Sequence, residues 1–256
     1  MASDVILETQ ELRKHFGGLK AVDGVSLQVK RGSLTGIIGP NGAGKSTYFS
    51  LLAGSLRASE GRVFLEGADV TRLPAHRRAR RGLVRTFQLT RALSRMTVRE
   101  NLMLAPDGQI GEHVWGPLFA APQVRKQEDA LRAKADEMLA LFELTHVADS
   151  YAGSLSGGQK KLLELARALM RDPTLVLMDE PMAGVNPTLA RKLLDKVEEL
   201  RATRGITFVL VEHNLEAVFE RCDPIVVMAN GKKLVEGDAA TVRAHPEVVE
   251  AYLGGG

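Results

Sequence analysis

The segment from Gly39 to Thr47 reads GPNGAGKST and matches the phosphate-binding pattern G-x-x-x-x-G-K-[ST]. Such a loop turns sharply at its glycines and points backbone N–H groups at a phosphate beside the start of a helix. Lys45 would contact the β- and γ-phosphates, Ser46 would offer its hydroxyl to Mg²⁺, and Thr47 would lie near the α-phosphate. The residues predicted to bind a nucleotide are Gly39, Pro40, Asn41, Gly42, Ala43, Gly44, Lys45, Ser46 and Thr47.

The residues on either side of this loop predict the elements that must position it. Residues 34–38 indicate a short buried strand, and residues 48–53 indicate a helix that ends at Gly54. A glycine-rich turn that binds nothing is the alternative, and the strand–loop–helix context argues against it.

Two further apolar strands are predicted to end in residues that can do chemistry. Residues 175–178 lead into Asp179 and Glu180, and residues 206–211 lead into Glu212 and His213. Because open α/β sheets bind ligands at the carboxyl ends of their strands, we predict that Asp179 holds Mg²⁺ through water. Glu180 would orient or deprotonate the attacking water. His213 is a candidate to hydrogen-bond the γ-phosphate, with a structural histidine as the alternative.

A second helix start also has the chemistry to bind an anion. Residues 155–159 read LSGGQ and precede an amphipathic stretch, so Ser156, Gly157 and Gly158 would form a second anion-binding terminus. An ordinary helix cap explains the serine but not the paired glycines. Phe16 lies beside two glycines before the phosphate loop, where it either stacks on adenine or packs in the core.

The remaining chain predicts a single α/β domain with two lobes. A capping box at 97–100 and an amphipathic helix at 131–144 indicate a helical lobe, and residues 105–123, which include Trp115, read as an irregular insert. Asn230-Gly231 predicts a β-hairpin, and residues 241–253 predict a short final helix.

The amino-acid composition argues against several classes of protein. The net charge of +3 arises from 34 basic and 31 acidic residues, which is too balanced to indicate a nucleic-acid partner. The basic run from Arg77 to Arg81 is either a polyanion patch or, as we favour, a solvated helix face. The single cysteine, Cys222, excludes an internal disulfide and suits a reducing cytosol. No apolar run reaches the length of a membrane span.

Taken together, the motifs resemble those of the ABC ATPases. The order typical of that family is met by GPNGAGKST, RTFQ ending at Gln88, LSGGQ, LVLMDEP at 175–181 and VEH ending at His213. A narrower similarity, to the ATPase subunits of branched-chain amino acid importers, is carried by KHFGGLKAVDGVSL, GLVRTFQ, MTVRENL, EPMAGVNP, VEHNLEAV and HPEVVEAYLG. ATPases for urea or lipopolysaccharide transport share several of these phrases.

The resemblance implies a fold and residue roles. The fold would be α/β, with a RecA-like parallel-sheet core and an N-terminal antiparallel β subdomain over about 1–88 and 160–256, and a helical subdomain over about 89–159. Phe16 would stack on adenine, Glu180 would be the catalytic base, and His213 would contact the γ-phosphate. Gln88 would bind near the nucleotide and Mg²⁺, whose ligands would be Ser46, Gln88 and Asp179. The LSGGQ motif, from Ser156 to Gln159, would bind the ATP held by a second subunit.

The resemblance also implies partners: a second ABC ATPase in a homo- or heterodimer, two membrane-spanning permease subunits, and a solute-binding protein outside the membrane. The chain would then lie in the cytoplasm, on the inner face of the cell membrane. Alternatives are a urea or amide importer, a lipid exporter, and a non-transport ABC protein. The last class commonly carries two cassettes or long coiled-coil inserts, which this chain lacks.

Overall fold

The computed structural model describes residues 4–86, 93–106 and 121–253 of the chain, and shows an α/β fold built on two sheets. The strands are β1 (Val5–Phe16), β2 (Leu19–Lys30), β3 (Leu34–Ile38), β4 (Glu60–Leu65), β5 (Ala68–Asp69), β6 (Leu83–Arg85), β7 (Leu175–Asp179), β8 (Thr207–Val211), β9 (Ile225–Ala229) and β10 (Lys232–Gly237). The helices are α1 (Lys45–Ala53), α2 (Ala75–Ala79), α3 (Val98–Met103), α4 (Ala121–Leu141), α5 (Gly157–Leu169), α6 (Pro187–Arg204), α7 (Leu215–Arg221), α8 (Ala239–Ala244) and α9 (Pro246–Leu253).

One sheet is antiparallel and the other is mostly parallel. The antiparallel sheet has the strand order β2-β1-β4-β5, and the six-stranded sheet has the order β10-β9-β3-β8-β7-β6. Within the second sheet only β10 runs antiparallel to its neighbour. The carboxyl ends of β3, β8 and β7 therefore lie side by side, which brings the phosphate loop next to the residues after β7 and β8. The predicted fold class is confirmed.

Two apolar cores cover the opposite faces of the six-stranded sheet. Along β7, Val176 and Met178 belong to one core, whereas Leu175 and Leu177 belong to the other. Successive side chains of a strand point to opposite faces, so a strand buried on both faces needs an apolar residue at every position. The first core also receives residues from α3 to α9, and the second receives α1 and the antiparallel sheet.

The predicted helices are present, but some of their boundaries differ from the predicted ones. The capping box of α3 is present, with Thr97 and Glu100 exchanging hydrogen bonds. Helix α4 begins at Ala121, so residues 121–123 of the expected irregular insert are helical, while Trp115 lies outside the described residues. Because α3 and α4 share one core with β7 and β8, apolar packing is continuous between the helical segment and the parallel sheet. The proposed lobe boundaries stay a prediction.

The prediction of one helix over 241–253 is wrong. The structure has α8 and α9 instead, separated at His245, whose backbone is extended with φ −75° and ψ 121°. Pro246 causes the break, because its ring disfavours the helical conformation of the residue before it and it has no N–H to donate.

In the basic run after Pro74, Arg77, Arg80 and Arg81 are exposed, as the interpretation of a solvated face predicts, and Arg78 is the exception. Arg78 is buried, and its guanidinium donates to the carbonyl oxygens of Leu51 and Leu52 at 2.8 and 2.6 Å. It thereby ties α2 to the carboxyl end of α1, where the helix dipole favours a cation. Burial lowers the pKa of Arg78 to about 10. In the described part of the chain, no helix is both long and apolar enough to cross a membrane.

Candidate functional site

The phosphate loop joins β3 to α1, and the neighbouring strands press directly against two of its glycines. Gly39 has φ +153°, and a Cβ atom there would lie 2.0 Å from the carbonyl oxygen of Met228. Gly44 has φ +95°, and a Cβ atom there would lie 2.2 Å from the carbonyl oxygen of Ala21. Both positions need glycine because the obstacles are backbone atoms of adjacent strands.

A hairpin turn supports the same loop from the side. The N–H of Gly231 donates to the carbonyl oxygen of Ala43 at 3.1 Å, and the N–H of Asp23 donates to the carbonyl oxygen of Gly231 at 2.8 Å. The sequence predicts this turn from Asn230-Gly231 but does not show that it braces the phosphate loop. The loop shape is thus fixed jointly by β2 and the β9–β10 turn.

Lys45 is buried, and its side chain folds back over the loop. Its ammonium donates to the carbonyl oxygens of Gly39 and Pro40 at 2.7 and 2.9 Å. Burial lowers the pKa of Lys45, and the negative charges of Glu180 and Asp179 oppose that change. An ammonium has three N–H donors, so one remains for an anionic ligand. Loop residues Asn41, Gly42 and Ser46 are exposed, whereas Pro40, Gly44 and Thr47 are half-buried.

Asp179 is the last residue of β7 and only 2% exposed. Its Oδ2 atom accepts a hydrogen bond from the guanidinium of Arg85 at 2.5 Å. Its Oδ1 atom is buried, and no described residue forms a hydrogen bond with it. Buried polar atoms are nearly always paired, so a free carboxylate oxygen here indicates a position for a ligand.

Glu180 and His213 meet although 33 positions separate them in the chain. The Nε2 atom of His213 lies 3.0 Å from the Oε1 atom of Glu180. The backbone of Glu180 has φ +48°, an uncommon conformation for a residue other than glycine, and its N–H donates to the carbonyl oxygen of Val211 at 2.9 Å. Strained backbone of this kind concentrates at active sites. The sequence placed both residues at strand ends, and the structure adds their direct contact.

Sequence reasoning gave no role to Glu212, which is 4% exposed. Its carboxylate accepts the N–H of Met182 at 2.7 Å and the N–H of His213 at 3.1 Å. Burial raises the pKa of Glu212, and hydrogen bonds from these N–H groups and that of Asn214 oppose the rise. This side chain therefore ties the loop after Glu180 to the loop that carries His213. The signal in the sequence is an acid placed directly after the apolar run from Phe208 to Val211.

The LSGGQ segment opens α5 with a complete capping box. The Oγ atom of Ser156 accepts the N–H of Gln159 at 3.2 Å, and the Oε1 atom of Gln159 accepts the N–H of Ser156 at 3.0 Å. At Gly158 a Cβ atom would lie 1.6 Å from Cδ2 of Leu189, while at Gly157 it would meet nothing within 4 Å. Gly158 thus allows α5 to pack against α6, and Gly157 leaves the helix start open.

Phe16, at the end of β1, is 49% exposed, so the alternative of a buried core phenylalanine is wrong. The ammonium of Lys14 lies 5.0 Å from the centre of its ring. Among the described residues, no hydrogen bond, ion pair or ring contact joins Phe16 or the start of α5 to the phosphate loop. Gln88 lies outside the described residues, just beyond β6.

One edge of the parallel sheet thus carries a phosphate loop, a buried aspartate with a free oxygen, and a glutamate–histidine pair. This combination defines a P-loop ATPase. Residues 22–183 match the family model described as ABC transporter, and residues 232–256 match the model described as Branched-chain amino acid ATP-binding cassette transporter.

Relatives cover almost the entire chain. The probable branched-chain amino acid transport ATP-binding protein LivG of Archaeoglobus fulgidus is 47% identical, with 97% of this chain and 95% of that protein covered. The high-affinity branched-chain amino acid transport ATP-binding protein BraF of Pseudomonas aeruginosa is 39% identical, with 97% of this chain and 98% of that protein covered. A crystal structure of the ADP conformation of an ATP-binding cassette of an ABC transporter is 43% identical, with a TM-score of 0.84 and coverage of 98% of this chain and 100% of that one.

The chain belongs to the ABC transporter family of ATP-binding proteins. It is the ATP-binding, ATP-hydrolysing subunit of a transporter.

Proposed function

We propose that this ATPase powers the import of branched-chain or other hydrophobic amino acids. The observation that carries the ATPase chemistry is the contact between Glu180 and His213 beside the phosphate loop. The names of the LivG and BraF relatives, and the match of residues 232–256 to the branched-chain amino acid model, support the substrate class.

In the proposed reaction, the backbone N–H groups of residues 39–47 bind the β-phosphate and Lys45 binds the β- and γ-phosphates. Glu180 accepts a proton from the attacking water, or orients it, at Oε1 or Oε2. His213 holds the Glu180 carboxylate at 3.0 Å and donates to the γ-phosphate as the water approaches. Phe16 offers an exposed ring on which adenine stacks.

Mg²⁺ fits the donors at this edge. Asp179 supplies a buried free carboxylate oxygen, and Ser46, in the first turn of α1, has an exposed hydroxyl. The described residues contain no group of three or more His, Cys, Asp or Glu side chains that could hold a metal alone. Mg²⁺ commonly uses one or two protein oxygens together with phosphates and water, so a sparse site is what this ion requires. When bound, it would neutralise charge on the phosphates. Gln88 is proposed as a further ligand.

The subunit is proposed to act as a dimer with a second ABC ATPase, identical or not. The start of α5 at Ser156–Gly158 would bind the γ-phosphate of ATP held on the other subunit, with Gln159 completing the motif. The open space at Gly157 supports this role, because a phosphate needs close access to backbone N–H groups.

Two permease subunits and an extracytoplasmic solute-binding protein would complete the importer, with this chain on the cytoplasmic face. A cavity of about 450 Å³ beside β6 and α5, lined by Arg85, Thr86, Leu104 and Arg171 among others, supports a permease-binding groove at the end of β6.

The test purifies tagged Glu180→Gln protein with ATP from detergent-solubilised native membranes and identifies its partners by mass spectrometry. Two permease-like proteins, a second ATPase and loss of leucine uptake in a deletion strain would support the proposal. A lipid-export complex, a urea permease, or ribosomes without membrane proteins would overturn the transport assignment and leave the ATPase chemistry intact.

A further inference from the structure

Arg85, at the end of β6, links the two halves of the nucleotide site and has no role in the reaction described above. Its guanidinium donates through Nη2 to Oδ2 of Asp179 at 2.5 Å and through Nη1 to Oγ of Ser50 at 3.0 Å. The Ser50 hydroxyl in turn donates to the carbonyl oxygen of Ser46 at 2.7 Å. One side chain therefore connects the aspartate at the end of β7 to the helix that carries the candidate hydroxyl ligand of Mg²⁺.

The two oxygens of the Asp179 carboxylate have different surroundings. Oδ2 is occupied by Arg85, while Oδ1 is buried and has no partner. The guanidinium of Arg85, a side chain that is only 17% exposed, holds Oδ2 and thereby fixes which oxygen of the carboxylate stays open.

We propose that Arg85 is a positioning residue for the metal: it holds Oδ2 of Asp179 so that Oδ1 remains open to the Mg²⁺ shell. The inference rests on the proposed role of Asp179 in binding Mg²⁺. It does not require Arg85 to touch the nucleotide.

Charge alone and positioning predict opposite changes in metal affinity when Arg85 is removed. A cation beside a metal ligand repels a divalent cation, so deleting Arg85 should tighten metal binding if charge alone matters. If Arg85 positions the carboxylate, deleting it should weaken metal binding, as loss of a residue that orients a metal ligand commonly does by about 10- to 100-fold. Whether metal affinity rises or falls in the variant decides between the charge effect and the positioning role.

The experiment measures Mn²⁺ binding by electron paramagnetic resonance, with Mn²⁺ in place of Mg²⁺ and ADP bound so that no turnover is needed. Full-length Arg85→Met protein should bind Mn²⁺ at least about 10-fold more weakly than wild type. ADP affinity measured in EDTA should stay within about twofold, since Arg85 acts on the metal alone. Ser50→Ala is the matched control, because it breaks the other end of the link and leaves the contact with Asp179; it should have the smaller effect.

Unchanged or tighter Mn²⁺ binding in Arg85→Met would overturn the inference. If that variant fails to fold, Arg85→Lys replaces it: lysine keeps the charge but lacks the fork that reaches Asp179 and Ser50 together, so weaker Mn²⁺ binding is again expected. Asp179→Asn separates the two proposals. If Asp179→Asn binds Mn²⁺ normally, the proposed metal role itself fails; if it loses Mn²⁺ while Arg85→Met does not, only this inference fails.

Discussion

Replacing Gly44 by alanine tests whether the phosphate loop is shaped by its neighbours. An L-residue with positive φ costs about 1–2 kcal/mol relative to glycine. At Gly44 the new Cβ atom would also lie 2.2 Å from the carbonyl oxygen of Ala21, where ordinary contact begins at 3.4 Å. That oxygen belongs to β2, which pairs along its length with β1, so the loop must move by about 1 Å.

Gly205 provides the matched control. It follows α6 with φ +64°, and a Cβ atom there would meet nothing within 4 Å. Gly205→Ala should therefore lose only the conformational term, about 1 kcal/mol, and keep its nucleotide affinity. Gly44→Ala should lose more stability than the control. A displaced loop that loses one N–H hydrogen bond to a charged phosphate, about 1.5–3 kcal/mol, should bind ATP roughly 10- to 100-fold more weakly.

The assay combines urea unfolding without nucleotide and titration with a fluorescent ATP analogue, both on the full chain. Equal losses of unfolding free energy in the two variants, with wild-type ATP affinity in Gly44→Ala, would refute the claim that β2 confines the loop.

Further predictions concern single side chains. Lys45→Ala should abolish ATP binding in the same titration, because it removes the ammonium from the phosphate site; retained affinity would contradict its role. Arg78→Met should lower the free energy of unfolding by about 3 kcal/mol, since it leaves buried carbonyl oxygens unpaired, and should not change ATP affinity. The pKa of Glu212 is raised in the folded protein, so this side chain should make the free energy of unfolding fall as pH rises above 4.5, its unshifted pKa. Glu212→Gln should remove this part of the pH dependence of the free energy of unfolding. Urea unfolding across the same pH range measures it, and an unchanged dependence would contradict the prediction.

The local elements of the site were predictable because each depends on a short pattern. The strand, loop and helix around Lys45 follow from glycine spacing and apolar runs, and Asp179 and His213 were correctly placed at strand ends. The contact between Glu180 and His213 was not predictable from the same patterns. It depends on β7 and β8 being neighbours, and strand order is decided by packing across the whole sheet.

Three of the missed features depend on tertiary contact. Arg78 looks like any exposed basic residue until α1 brings two carbonyl oxygens to it. Gly158 looks like part of an anion site, yet its lack of a side chain is also required by Leu189 of α6. Glu212 is a buried charge, and one of its N–H partners, Met182, comes from a loop 30 positions away. By contrast, the break between α8 and α9 before Pro246 could be predicted from the sequence, because the local effect of proline is enough to cause it.

The central claim is that this edge of the sheet hydrolyses ATP with Glu180 as the general base. The most direct measurement compares ATP turnover and ATP affinity of the purified wild-type and Glu180→Gln proteins. The account predicts that Glu180→Gln binds ATP as tightly as wild type while its turnover falls on the order of 10²-fold or more. Wild-type turnover in Glu180→Gln would contradict it.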